Sequence, residues 1–255
     1  MNEVQPIKDY SAYNERMELA MMDKLFFVDK VNSGLIVDFG CANGSLLKAI
    51  KSVRPECRVV GFDIDPTMAA FGTSELPIKS TWDEIAKLLP MYRCPTLILS
   101  SVIHEVYHYG SKADIDAFWK QIFDTGFEYI VIRDMMPSRS LDRISNINDV
   151  RKVYAKFLHT KVLNDFESIW GSIEGNRQLV HFLLKYRYAE PNWEREVREN
   201  YLPLTREDLL AKIPLSYDVL FHEHYTLPYI WQTVKKDTGI EIKDPTHMKL
   251  ILKRA

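Results

Sequence analysis

Short apolar runs alternate with helical stripes through the first 135 residues, and this alternation is the strongest structural signal in the chain. Leu35-Ile36-Val37-Asp38 is an apolar run of strand length, and Ser45–Val53 reads as a helix broken by Pro55. Arg58–Phe62 predicts a second strand, Pro66–Phe71 a short helix and Leu76–Lys79 a short third strand. Asp83–Leu89 reads as a helix stopped by Pro90. Thr96–Val102 is a continuous apolar run ending in hydroxyls, the pattern of a parallel strand buried on both faces. Ile115, Phe118, Trp119, Ile122 and Phe123 fall at i, i+3, i+4, i+7 and i+8, which gives a helix one apolar face. Phe127–Asp134 predicts a fifth strand. Strands and helices in regular alternation with short connections predict an α/β, doubly wound, mostly parallel sheet.

The alternation stops at Pro137. From Ser138 to about Pro203 no strand pattern is visible, while Val150, Val153, Tyr154, Phe157, Phe166, Trp170, Leu179, Val180, Leu183 and Leu184 keep helical spacing. Residues 138–203 are therefore expected to form a helical insertion after the fifth strand, with 1–137 and 204–255 forming the sheet domain. Thr205 predicts a helix N-cap with Asp208 in the capping-box position. Tyr217–Tyr225 and Met248–Lys253 predict two further strands. Ahead of the first strand, residues 8–31 read as helix, with Tyr10, Tyr13, Met17, Met21, Leu25 and Val28 at helical intervals.

Composition narrows the class little. At 255 residues with 46% hydrophobic and 27% charged side chains, the chain can bury a substantial core. A formal charge of −2 gives no bulk attraction to nucleic acid or anionic membrane. Cys41, Cys57 and Cys94 lack C-x-x-C spacing, and no apolar stretch approaches the ~20 residues of a membrane span. A cytoplasmic protein with no membrane partner is the expectation.

Candidate chemistry begins at the end of the first strand. Asp38-Phe39-Gly40-Cys41-Ala42-Asn43-Gly44 joins a strand to a helix N-terminus through a turn with little side-chain bulk. A dinucleotide fingerprint would need glycine where Ala42 and Ser45 stand. An acid followed by Gly40, Ala42 and Gly44 instead resembles the first motif of class I S-adenosylmethionine (SAM)-dependent methyltransferases, with alanine in the middle glycine slot. Val60-Gly61-Phe62-Asp63-Ile64-Asp65 resembles that family's second motif. The resemblance covers roughly residues 30–135 and 205–255. It implies a Rossmann-like sheet of seven strands, the last antiparallel, and SAM as cofactor. Asp38 would then lie near the SAM amino group, Asp63 on the ribose hydroxyls with Ile64 beside it, and Ser100 and Ser101 close to the cofactor. Trp82, after the third strand, would be placed to stack on adenine, and Arg16 on the N-terminal helix to meet the methionine carboxylate.

His104-Glu105-Val106-Tyr107-His108 matches the zinc-protease pattern H-E-x-x-H. Its position, directly after a buried parallel strand, argues against that use, and no metal is expected. Active sites of open α/β sheets lie beyond the carboxyl ends of the strands. His104, in a substrate-side loop, is accordingly the candidate acid/base, with Glu105 orienting it or binding the acceptor. Arg133 and Asp134 at the fifth strand's mouth are candidates for substrate contact, as are His222 and His224, which share one strand face.

The fourth strand lacks the Asn/Asp-Pro-Pro-Tyr sequence of amino-methylating DNA enzymes and the Pro-Cys nucleophile of cytosine C5 enzymes. This favours methyl transfer to a small-molecule acceptor beneath the insertion. The alternatives are an RNA methyltransferase using the insertion as a clamp, with Tyr186-Arg187-Tyr188 and Arg195 to Arg198 as RNA contacts, and a SAM-binding regulator without turnover.

Overall fold

The computed structural model describes residues 9, 19–189 and 191–255. Seven strands form one sheet: β1 (Leu35–Phe39), β2 (Arg58–Phe62), β3 (Ile78–Lys79), β4 (Thr96–Ser100), β5 (Tyr129–Met135), β6 (Tyr217–Tyr225) and β7 (His247–Arg254). Their order is β3-β2-β1-β4-β5-β7-β6. β1 through β5 pair in parallel, and β7 runs antiparallel to both β5 and β6. This is the Rossmann-like α/β sheet expected from the sequence, with the last strand reversed. The strand order turns around between β1 and β4, which opens a crevice at the carboxyl ends of those two strands.

The two-residue period of β1 sorts its side chains onto the two faces of the sheet. Leu35 and Val37 enter one core with Val60, Leu97, Phe118, Trp119 and Ile122. Ile36 enters the other with Phe27, Leu46, Leu47, Ile50, Val59 and Ile98. Helix Ser45–Val53 buries Leu46, Leu47 and Ile50 on one face, and helix Lys112–Asp124 buries Phe118, Trp119 and Ile122. Ser111 and Asp114 close a reciprocal capping box at the start of the latter. Thr205 Oγ1 accepts from the Asp208 N–H at 3.2 Å, as its N-cap position predicts.

The insertion is helical, with main helices Ile147–Phe157, Lys161–Trp170 and Asn176–Lys185. Its core of Leu163, Phe166, Phe182, Leu183 and Trp193 continues without a break into Leu227, Ile230 and Val234 of helix Pro228–Thr238, which links β6 to β7.

Several boundaries differ from expectation. β3 spans only Ile78–Lys79, and β5 starts at Tyr129 and runs through Met135. β4 stops at Ser100, because Ser101 takes a left-handed backbone, φ 58°, that a strand cannot accommodate. Of the expected N-terminal helix, Met21–Lys24 is helical, while Tyr10, Tyr13 and Arg16 lie outside the described residues. No helix among the described residues is long and apolar enough to cross a membrane.

Candidate functional site

The loop after β1 is built from three left-handed residues, Gly40 (φ 71°), Ala42 (φ 46°) and Gly44 (φ 75°). Glycine is needed at 40 for a second reason, since a Cβ there would lie 2.7 Å from Val102 Cγ2. The Gly40 and Cys41 N–H groups donate to the Phe62 carbonyl at 2.8 and 3.2 Å, which draws the loop over the end of β2. Asp63 completes the link. Its Oδ2 accepts from the Ala42 N–H at 2.9 Å and its Oδ1 from the Asp65 N–H at 3.0 Å. A carboxylate offers about four acceptor positions, so half of its capacity stays open for hydroxyl donors. Ile64 beside it is 86% exposed, an apolar side chain held out in solvent.

Asp38 is buried at the end of β1. Burial raises its carboxyl to about 7, against the attraction of Lys24 and with added repulsion from Asp63. Lys24 is buried too. Burial, with Arg133 beside it, lowers its amine to about 8, while Asp38, Asp134 and Asp23 oppose the fall. The pair therefore changes charge close to neutral pH.

Arg133 leaves β5 and is almost wholly buried. Its Nε donates to Asp23 Oδ2 at 2.9 Å, and its Nη1 to Ser101 Oγ at 2.8 Å. Asp23 also holds Lys249 of β7 at 2.7 Å and accepts from the Tyr225 hydroxyl of β6 at 2.5 Å. One carboxylate thus ties the segment before β1 to three strands.

His104 is the centre of a second buried network. It lies not in a loop but in the first turn of helix Ile103–Tyr109, so the H-E-x-x-H sequence is helical. Ser101 turns the chain through a left-handed backbone, φ 58°, helical geometry begins two residues later at Ile103, and Asp134 fixes the new start. Asp134 Oδ2 accepts from the Ile103 N–H at 2.8 Å, while Oδ1 meets His104 Nδ1 at 2.7 Å. On the other side, His104 Nε2 stands 3.3 Å from Glu199 Oε1, a residue of the insertion. Burial alone would lower the imidazole pKa, but the Asp134 charge and hydrogen bond, with Glu199, hold it well above the usual value. The Asp134 and Glu199 carboxylates at its two ring nitrogens therefore favour the imidazolium form. Asp134, not the neighbouring Glu105, orients it. Glu105 pairs with Arg195 of the insertion at 3.2 Å; burial and the Glu199 charge raise its carboxyl to about 7.

These groups meet around one cavity of about 110 Å³. Ser101, His104 and Arg133 wall it from the sheet, Glu199 and Tyr201 from the insertion, and Ile230 from helix Pro228–Thr238. Ser100, next to Ser101 at the end of β4, is buried with no hydrogen-bond partner for its hydroxyl among the described residues. The other sequence candidates lie elsewhere. The Trp82 ring packs edge-on against Phe62 at 5.2 Å and near Phe39 at 5.6 Å, and its N–H donates to Thr125 Oγ1 at 3.0 Å. His224 Nε2 contacts the Met136 carbonyl at 3.0 Å, and His222 is exposed.

Sequence reasoning passed over Lys24, Asp23, Glu199 and Tyr201. Arg195 was read only as a possible phosphate contact, whereas it reaches back to Glu105.

No protein-family model matches the chain, and no curated protein matches its sequence. Solved structures do resemble it. One is a SAM-dependent methyltransferase from Archaeoglobus fulgidus, 15% identical, covering 96% of this chain and 100% of that one, with a TM-score of 0.48. Another is the PH0226 protein from Pyrococcus horikoshii OT3, 9% identical, covering 99% and 95%, with a TM-score of 0.48. A third is the plantazolicin methyltransferase BpumL, 9% identical, covering 96% and 85%, with a TM-score of 0.46. At such distances the chemistry has to be read from the residues of this chain.

Proposed function

We propose that this chain transfers the methyl group of SAM to a small-molecule acceptor held in the cavity under the insertion. The observation that carries this reading is the junction of the two nucleoside motifs: Asp63 bonded to the Ala42 N–H across a loop of three left-handed residues. SAM would lie over this loop, its ribose hydroxyls on the open acceptor positions of Asp63 and its adenine against Ile64. Asp38 would face the cationic amino-acid end. That direction carries the sulfonium towards Ser100, Ser101 and the cavity, on the far side of the β1/β4 crevice. Trp82 is occupied within the aromatic core and has no part in this arrangement.

Methyl transfer is an in-line displacement: the acceptor's lone pair attacks the methyl carbon and the sulfonium leaves as a thioether. The protein's contribution is placement and a dry, fixed electrostatic environment. His104, held charged between Asp134 and Glu199, serves here as a positioning and charge-holding group rather than as a resting neutral base. At about 110 Å³ the cavity is smaller than the roughly 300–1,000 Å³ of most ligand pockets, with room for a compact acceptor group or one end of a larger molecule.

Pairing of several of the insertion's cations also favours a small acceptor over RNA. Arg177 is bound to Asp142, Arg195 to Glu105 and Lys161 to Asp165, while the Arg187 guanidinium lies 5.1 Å from the rings of both Tyr188 and Tyr229. Transfer of radiolabelled methyl from SAM into fractionated metabolite, RNA and protein pools tests the proposal. Label in the metabolite fraction is expected; label confined to RNA would replace the acceptor, and none in any pool would favour a SAM-binding regulator.

A further inference from the structure

The H-E-x-x-H sequence runs along helix Ile103–Tyr109, and the methyl-transfer reading gives a role only to His104. Its first two residues meet a third from the insertion. The ligand atoms of His104, Glu105 and Glu199 all lie within 4.8 Å of one another, and His108, one turn further along the helix, is not in that group. We infer that His104 Nε2 and the carboxylates of Glu105 and Glu199 form a binding site for one divalent transition-metal ion.

Three observations support the site. First, Glu199 Oε1 is buried and has no hydrogen-bond partner among the described residues. It stands 3.3 Å from His104 Nε2, close enough for charge attraction but without an aligned hydrogen bond, and a buried carboxylate oxygen is unfavourable while that bond is unmade. Bonds of about 2.1 Å to one metal ion put neighbouring ligand atoms roughly 3.0–3.4 Å apart, so the same separation suits two adjacent ligands. Second, His104 is already dressed as a metal ligand. Its Nδ1 is held by Asp134 at 2.7 Å, the carboxylate–histidine arrangement that fixes the tautomer and turns Nε2 to the metal. Third, charge favours it. Beside Glu105, Glu199 and Asp134, Arg195 engages Glu105 through one oxygen and leaves the other available, while Lys185, near Glu199, is set against Glu196. A dication that takes the place of the His104 Nε2 proton brings His104, Glu105, Glu199, Asp134 and Arg195 together to no net charge. Arg133, which also lines the cavity, is balanced by Asp23.

One imidazole with two carboxylates suits Mn²⁺ or Zn²⁺ better than Mg²⁺ or Ca²⁺, which prefer all-oxygen shells. An ion here would border the cavity and act as a Lewis acid on an acceptor oxygen.

Titrating the full chain with Mn²⁺ in the absence of SAM, and following the free-ion EPR signal, tests the site. Binding of one Mn²⁺ per chain is expected, weakened at least tenfold by Glu199→Gln and by Glu105→Gln and unchanged by His108→Ala. No uptake at millimolar Mn²⁺, or binding by both carboxamide variants as tight as that of the wild type, overturns the inference. So does loss of binding in His108→Ala with Glu199→Gln unaffected. Should circular dichroism show Glu199→Gln unfolded, Glu105→Gln, whose side chain is partly exposed, decides alone. Because SAM is absent, failure here leaves the methyl-transfer reading standing.

Discussion

The segment before β1 is held to the sheet by Asp23, and removing that carboxylate gives a quantitative test of the architecture. Asp23→Ala leaves the Arg133 guanidinium, whose side chain is only 5% exposed, without its hydrogen-bonded acid and with only the more distant charge of Asp134. Lys249 keeps Glu223 at 3.1 Å, so the uncompensated charge falls mainly on Arg133. Breaking a buried pair from one side costs about 3–5 kcal/mol, because the remaining charge stays desolvated. At about 2–4 °C per kcal/mol for a chain of this size, the melting temperature should fall by roughly 6–20 °C. Asp23→Asn keeps an acceptor for Arg133 Nε and should lose less than Asp23→Ala. A buried pair is screened little by salt, so the deficit should persist in 0.5 M NaCl, on the order of the value at low salt. Thermal unfolding followed by circular dichroism measures it. A loss below about 1 kcal/mol, or one that vanishes at high salt, would show the pair to be solvated and refute the reasoning.

Asp63→Ala removes both the ribose acceptor and the tether of the Ala42 N–H, and SAM affinity by calorimetry should drop at least tenfold, on the scale of a lost charge-assisted bond of about 1.5–3 kcal/mol; unchanged affinity would remove SAM from this loop. Asp38, raised to about 7 by burial, attracts the cationic end of SAM only when ionised. SAM affinity should therefore be highest at about pH 7–8, before an α-amino group loses its own proton, and fall as pH drops through 7, by roughly tenfold at one unit below; Asp38→Asn should flatten the acid limb, and a wild type already flat between pH 6 and 7 would contradict it. Trp82→Phe loses the bond to Thr125 and should cost about 1 kcal/mol in urea unfolding while SAM binding holds; weaker SAM binding would instead put the indole on adenine.

Sequence made the sheet legible because its signals are local. The alternation of Leu35 and Val37 against Ile36 already assigns the two faces of β1, and the acid after Arg58–Phe62 already marks the loop's partner. Helix Pro228–Thr238 carried readable signals that were passed over: proline at its first position and Gly239, with φ 67°, just past its end. Other features had no local signal. The helix bearing His104 follows an apolar run that looks like continuing strand, and only the left-handed turn at Ser101 separates them. Glu199 lies in a stretch of alternating acids and arginines that reads as a solvated surface. Its burial depends on Lys185, whose Nζ donates to the Glu199 carbonyl at 2.6 Å and lies 3.7 Å from the centre of the Tyr201 ring.

That burial is what makes the insertion part of the site. The sheet supplies His104 and Asp134, an arrangement with one open side. Glu199 closes it only because the turn carrying it is held down at both ends, by Lys185 on its main chain and by Tyr201 against Glu196. Arg195 closes the neighbouring face by reaching Glu105, so two groups of one short segment engage two consecutive residues of the sheet-side helix. The segment in turn rests on a core whose far wall is Leu227, Ile230 and Val234, residues of the β6–β7 connection. The charge around His104 therefore depends on packing contributed from both ends of the chain's second half. A change that loosens the insertion alters the chemistry at the mouth of β4 without touching any strand of the sheet.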